Sequence, residues 1–208
     1  MSLSLKAQRV VSRLAELVAI DTRNPGGSER ALAEHLCGLL EERRPDAVAL
    51  REVARPEGNP GEGAYVFARW GTPRVLLNAH LDTVATGDGW TGDPFTLRIE
   101  EERVTALGAA DTKGAIAAIV TALEEGTPRD CAVLFSGDEE QDSTCMDAFL
   151  ASELREGIER AIVCEPTGCR VGRRHRGILA LAIDVRGEGS HSSLADTLPA
   201  PVLEASKV

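Results

Sequence analysis

The chain has 208 residues, 43% of them apolar and only 3% aromatic, and a formal charge of −10. That is enough for one full domain and part of a second, and the composition excludes a disordered polymer while asking for a core of Ala, Leu and Val. The negative charge argues against nucleic-acid and anionic-membrane partners, and no stretch is long and apolar enough to span a bilayer. The opening "MSLSLKAQRV" lacks the apolar run of a secretion signal, so a cytoplasmic protein is expected.

Residues 3–19 place Leu3, Val10, Val11, Leu14, Leu17 and Val18 at helical spacing, and "DTRNPGG" then breaks the chain. A second amphipathic helix is predicted over residues 28–43 on Leu32, Leu36, Leu39 and Leu40, stopped before Pro45. "AVALREV" and "AYVFARW" read as strands, separated by the glycine-rich "PEGNPGEG", and "RVLLNAHLDTV" reads as a central buried strand. After a polar loop, "FTLRIEEERVTAL" has the pattern of a hairpin, and "GAADTKG" precedes an apolar helix, "AIAAIVTALEE". "CAVLFSG" is another buried strand, "DEEQDSTCMDAFLASEL" a turn into a helix, and "RAIVCEPTG" a further strand. This alternation predicts an α/β fold with a mixed, mostly parallel sheet flanked by helices. From Arg176 the character changes: "GILALAIDVRGEGSHSS" alternates like an antiparallel strand with one wet face, and "LPAPVLEASKV" starts a helix. A first domain over 1–175 and the beginning of a smaller α+β domain over 176–208 are therefore expected. Cys37, Cys131, Cys145, Cys164 and Cys169 include no C-x-x-C pair and read as small hydrophobes in a reducing compartment.

Ligands of open α/β sheets bind beyond the carboxyl ends of the strands. Three apolar strands run there into "NAHLDT", "SGDEEQ" and "CEPTG", and "GAADTKG" opens a helix. Each has a structural reading of its own. His80 could be a hydrogen-bonded core histidine, Asp111 a helix N-cap, and Glu139 and Glu140 partners of a helix dipole. Taken together, one imidazole and several carboxylates at neighbouring strand ends would repel unless a cation lay between them, and zinc accepts such a mixed nitrogen and oxygen set. In a strand, His80 and Asp82 would share a face, placing Asp82 to receive the second ring N–H of a liganding His80. Gly108 and Gly114 bracket Asp111 and would let the backbone come close.

"HLDTV", "GAADTKG", "SGDEE", "CEPT" and "GEGSHSS", in this order, resemble the co-catalytic zinc amidohydrolase family, within which the acetylornithine and acetylcitrulline deacetylases are the nearest likeness. The opening "LVAIDTRNP" and the "RRHRGIL" segment are similar to the family's start and to the entry of its lid domain. The resemblance implies that His80 and Glu165 bind a first zinc, Glu140 a second, and Asp111 both, with Asp82 orienting His80. It implies that Glu139 is the general base, that Arg176 holds the substrate carboxylate, and that His191 reaches a partner's active site in a homodimer formed through the lid. The implied reaction removes the acetyl group from a small N-acetylated amino acid, with cobalt able to replace zinc. A dipeptidase or carboxypeptidase, and a fragment that keeps one metal but no turnover, remain open beside it. Family chains are longer and supply a further histidine to the second zinc, whereas the histidines here are His35, His80, His175 and His191. The first domain is accordingly expected to lack its C-terminal half and to hold at most one zinc tightly.

Overall fold

Leu14, Leu17 and Val18 line the buried face of the first helix, α1 (Leu5–Val18), capped by Ser4, whose hydroxyl accepts from the Ala7 N–H at 3.2 Å. The structure is a computed structural model that describes residues 3–56, 62–101, 103–174, 176–177, 181–186 and 205–206. The second helix, α2 (Glu29–Glu41), buries Leu32, Ala33, Leu36 and Leu40, and with them Glu29 of its first turn. In chain order there follow β1 (Ala47–Ala54), β2 (Glu62–Trp70), β3 (Val75–His80), a short hairpin of β4 (Arg98–Glu100) and β5 (Arg103–Thr105), and α3 (Gly114–Glu124). β6 (Cys131–Ser136), α4 (Thr144–Ala151) and β7 (Arg160–Val163) follow, with short helical turns at Ala109–Lys113 and Glu153–Arg155.

Five strands form one sheet in the order β1-β2-β6-β3-β7. β2 is antiparallel to both β1 and β6, while β3 is parallel to both β6 and β7. Every strand but β2 therefore points the same way, and the sheet is mixed and mostly parallel, as predicted. Its centre is covered on both faces, which is why β2 and β6 read as unbroken apolar runs. Ala64, Val66 and Ala68 of β2 face the core built by α1, α2 and α3, which also takes in Ile116, Val120, Val133 and Phe135. Tyr65 and Phe67 point the other way, toward Leu134, Cys145 and Phe149, and the Phe149 ring of α4 lies 5.5 Å from that of Phe67.

Two compact units are distinguished, Met1–Cys169 and Arg170–Val208. Of the strand expected over "GILALAIDVRGEGSHSS", Gly177 and residues 181–186 are described and form no ladder, and the rest lies outside the described residues, as does most of the helix expected over "LPAPVLEASKV". Among the described residues, no helix is long and apolar enough to cross a membrane.

Candidate metal centre

β6, β3 and β7 end side by side, with His80 in register with Ser136 and Asn78 with Val163. The acid-bearing segments that follow them open at one edge of the sheet, the usual place for a ligand in this architecture. His80 is the last residue of β3 and only 2% exposed. Thr112 clamps its backbone: the hydroxyl accepts from the His80 N–H and donates to the His80 carbonyl, both at 2.9 Å.

The imidazole is held at both nitrogens. Nδ1 lies 2.9 Å from the backbone carbonyl of Asp82, which can only accept, so Nδ1 carries the hydrogen. The Asp82 carboxylate stands further away, 3.5 Å from Nδ1. The sequence reading placed that carboxylate as the ring's acceptor. The strand ends at His80, its alternation does not extend to Asp82, and the backbone carbonyl takes the bond instead. On the other side, Nε2 faces Asp111 Oδ1 at 2.8 Å. With Nδ1 protonated, a nitrogen lone pair and a carboxylate meet there, and either a second proton or a cation must lie between them. Burial opposes charge on the ring, but Asp82, Asp111 and Glu165 outweigh it and raise the His80 pKa to about 10.

Asp111 is not the N-cap of α3. It sits at φ −124°, ψ 90°, with Lys113 at the cap position. Gly108 makes that approach possible: its φ is +72°, and a Cβ there would lie 2.5 Å from Thr83 Cγ2. Lys113 turns inward, is buried, and donates from Nζ to the carbonyl of Ile20 at 2.8 Å.

One ligand atom each from His80, Asp111 and Glu140 come within 4.8 Å of one another. An imidazole and two carboxylates converging on one point make up the three protein ligands usual for a catalytic zinc, so the residues present fit a divalent ion. Glu165 follows β7, is exposed, and is not one of the converging three. It nevertheless feels the same field. Its carboxyl is raised by burial and by the charges of Glu139, Asp111 and Glu140, against the pull of His80, and the Glu140 carboxyl is raised in the same way. Glu139 is exposed beside them. Arg176 is exposed in the second unit, and His175 and His191 lie outside the described residues.

A family model described as "Peptidase family M20/M25/M40" matches residues 76–199, which contain every candidate site residue. The chain belongs to peptidase family M20/M25/M40. It is 39% identical over 186 residues to an N-acetyl-L-citrulline deacetylase of Xanthomonas campestris pv. campestris, covering 88% of this chain and 48% of that protein. It is also 39% identical over 125 residues to an acetylornithine deacetylase of Pectobacterium carotovorum, covering 57% of this chain and 32% of that protein. The chain thus spans half or less of the length of these relatives. Among solved structures, human carnosine dipeptidase 1 superposes with a TM-score of 0.62 at 19% identity, covering 75% of this chain and 38% of that one. A Zn-dependent exopeptidase from Parabacteroides distasonis gives a TM-score of 0.53 at 16% identity, with 75% and 60% covered. At these identities the two share the fold.

Behind the site, this M20/M25/M40 chain carries a polar layer that sequence reasoning missed. Asp82 is fully buried, with its pKa lowered. Burial resists that shift, and His80 together with the N–H groups of Glu140 and Glu139 overcomes it. Asn24, Glu29, Arg55 and Asp138 lie behind it, all at most 6% exposed as whole residues or side chains. Glu29 had one visible signal: it precedes Leu32, Leu36 and Leu40 on the apolar stripe of α2, where an acid does not belong without a partner. Arg55 and Asn24 carried none.

Proposed function

We propose that this chain contains the metal-binding part of a zinc-dependent amidohydrolase that removes the acetyl group from a small N-acetylated amino acid of the acetylcitrulline or acetylornithine type. The convergence of His80, Asp111 and Glu140 beside an exposed Glu139 carries this reading. The 39%-identical relatives named for those two substrates favour deacetylation over peptide cleavage. A bound zinc would make water nucleophilic near neutral pH and polarise the amide carbonyl. Glu139 takes the proton from the attacking water and delivers it to the departing amine nitrogen, and its exposure leaves room for the substrate there. Asp82 fixes the backbone from which Glu139 projects, and His80, oriented through Nδ1, presents Nε2.

With one ion bound, the geometry supports His80, Asp111 and Glu140 as its ligands. With two, His80 and Glu165 would hold a first ion and Glu140 a second, with Asp111 available to both. This stretch of chain is assigned at most one tightly held zinc, which cobalt could replace. Arg176 is assigned to the substrate carboxylate and His191 to the active site of a partner subunit. Residues 176–208 are read as the beginning of a lid that joins two copies, in a cytoplasmic protein. The decisive experiment is Glu139→Gln. Hydrolysis of acetylcitrulline and acetylornithine should fall roughly 10²–10⁴-fold with zinc content unchanged. Near-normal turnover would move the base to another residue.

A further inference from the structure

Three consecutive backbone N–H groups at the end of β6 are each bonded to a buried carboxylate. Asp138 N–H donates to Glu29 Oε1 at 3.1 Å, Glu139 N–H to Asp82 Oδ1 at 3.1 Å, and Glu140 N–H to Asp82 Oδ2 at 3.0 Å. Asp138 itself adopts φ +64°, a left-handed conformation that costs a non-glycine residue energy unless its surroundings hold it. Its Oδ2 accepts from the Thr144 N–H at 3.2 Å and from the Thr144 hydroxyl. Glu29, Asp82 and Asp138 thus put three carboxyl groups into one interior layer, where unpaired charge is costly.

Arg55 is placed against two of the three. Its Nη2 bonds to Glu29 Oε1, its Nε lies 3.3 Å from Asp138 Oδ1, and its Nη1 donates to Asn24 Oδ1 at 2.9 Å. The Asn24 amide nitrogen then reaches Glu29 Oε1 at 3.1 Å, Asp82 Oδ2 at 3.4 Å and Asp138 Oδ1 at 3.5 Å. The planar guanidinium is suited to several acceptors at fixed angles, which a lysine ammonium is not. Gly137 completes the fit, because a Cβ there would collide with Glu29 Oε2.

We propose that Arg55, acting through Asn24 and Glu29, is a positioning residue that sets the backbone of Asp138–Glu140, and so aims Glu139 and Glu140 at the metal centre. Arg55 stands outside the three converging ligands. It holds Glu29 and Asp138 in place, and these, with Asp82, fix the three N–H groups. The proposal rests on the roles given above to Glu139 and Glu140.

The test compares Arg55→Met, Arg55→Lys and Asn24→Ala with the exposed control Arg30→Ala, all in the full 208-residue chain. Amide hydrogen exchange is followed at 138–140 and at Val133 and Leu134 in β6, alongside zinc affinity by competition with a chelator. Arg55→Met should cut protection at Glu139 and Glu140 at least tenfold more than at Val133 and Leu134. It should weaken zinc binding about 10–100-fold, the usual cost of losing a residue that supports a ligand. Arg55→Lys should recover part of both losses, and Arg30→Ala should change neither. Unchanged protection at 138–140, or an equal loss throughout β6, would overturn the proposal. Should Arg55→Met fail to fold, Asn24→Ala decides by the same criterion at Glu140. Neither readout needs turnover. Failure of the wild-type chain to hydrolyse any N-acetyl amino acid would count against the proposed reaction and leave this result standing on its own.

Discussion

Asp82→Asn tests the layout of the site with almost no change of volume. The wild-type carboxylate offers one oxygen to the Glu139 N–H at 3.1 Å and the other to the Glu140 N–H at 3.0 Å. Asparagine has one oxygen and one NH₂. Whichever way it turns, one backbone N–H loses its acceptor and faces a second donor. A buried N–H left unpaired costs about 1–3 kcal/mol, and the surviving bond loses its ionic component, roughly another 1 kcal/mol. The total, about 2–4 kcal/mol, is a large part of the 5–15 kcal/mol typical of a folded domain. Urea unfolding followed through Trp70, 4% exposed in the native state, should show it. With chelator present to remove any metal contribution, and a slope of about 2 kcal/mol/M, the midpoint should fall by about 1–2 M. A shift under about 0.3 M with an unchanged slope would refute the claim that Asp82 supports the 139–140 backbone.

Gly108→Ala should cost about 2–3 kcal/mol, because it forces a side chain to φ +72° against Thr83, and a melting temperature within 2 °C of the parent would contradict this. Burial, followed by the charge of Asp82, raises the Glu29 carboxyl from 4.5 to about 7. The fold then holds this proton more tightly than the unfolded chain, so the stability it adds is complete below about pH 4.5 and is lost as pH rises through 7. The advantage of wild type over Glu29→Gln in denaturant titrations should therefore shrink between pH 5 and pH 8 by roughly 2–3 kcal/mol, and a pH-independent difference would refute the cause assigned. With one zinc bound, Glu140→Ala should lower the zinc retained after dialysis as much as His80→Ala does, and Glu165→Ala should lower it less. The reverse order would favour the ligand division implied by the family resemblance.

The sheet was legible because β2, β3 and β6 are buried on both faces and leave unbroken apolar runs. His80 ends one such run and Glu139 and Glu140 follow another, while Glu165 follows the short apolar β7, all at the end where a parallel sheet binds its ligands. Asp111 did not separate from its alternative, since an aspartate before an apolar helix is first of all a cap. Only the contact with His80 Nε2, across 31 residues of sequence, shows what it does instead. Arg55 and Asn24 were illegible for a related reason. A buried ion pair leaves no periodic mark, and two of the partners of Asn24 lie 58 and 114 residues away. Glu29 could have been found, as the one acid on an apolar helix face.

The bond from Asp138 to Glu29 spans 109 residues. Closing so long a loop is entropically unfavourable until the intervening elements have packed, which delays contacts of this kind in folding. During synthesis, His80 and Asp111 emerge first, while the segment carrying Glu139 and Glu140 waits for β6 to enter between β2 and β3. An ion met earlier would find only an imidazole and one carboxylate on a mobile chain. A zinc site built from His80, Asp111 and Glu140 would therefore be complete only once the sheet has closed around β6.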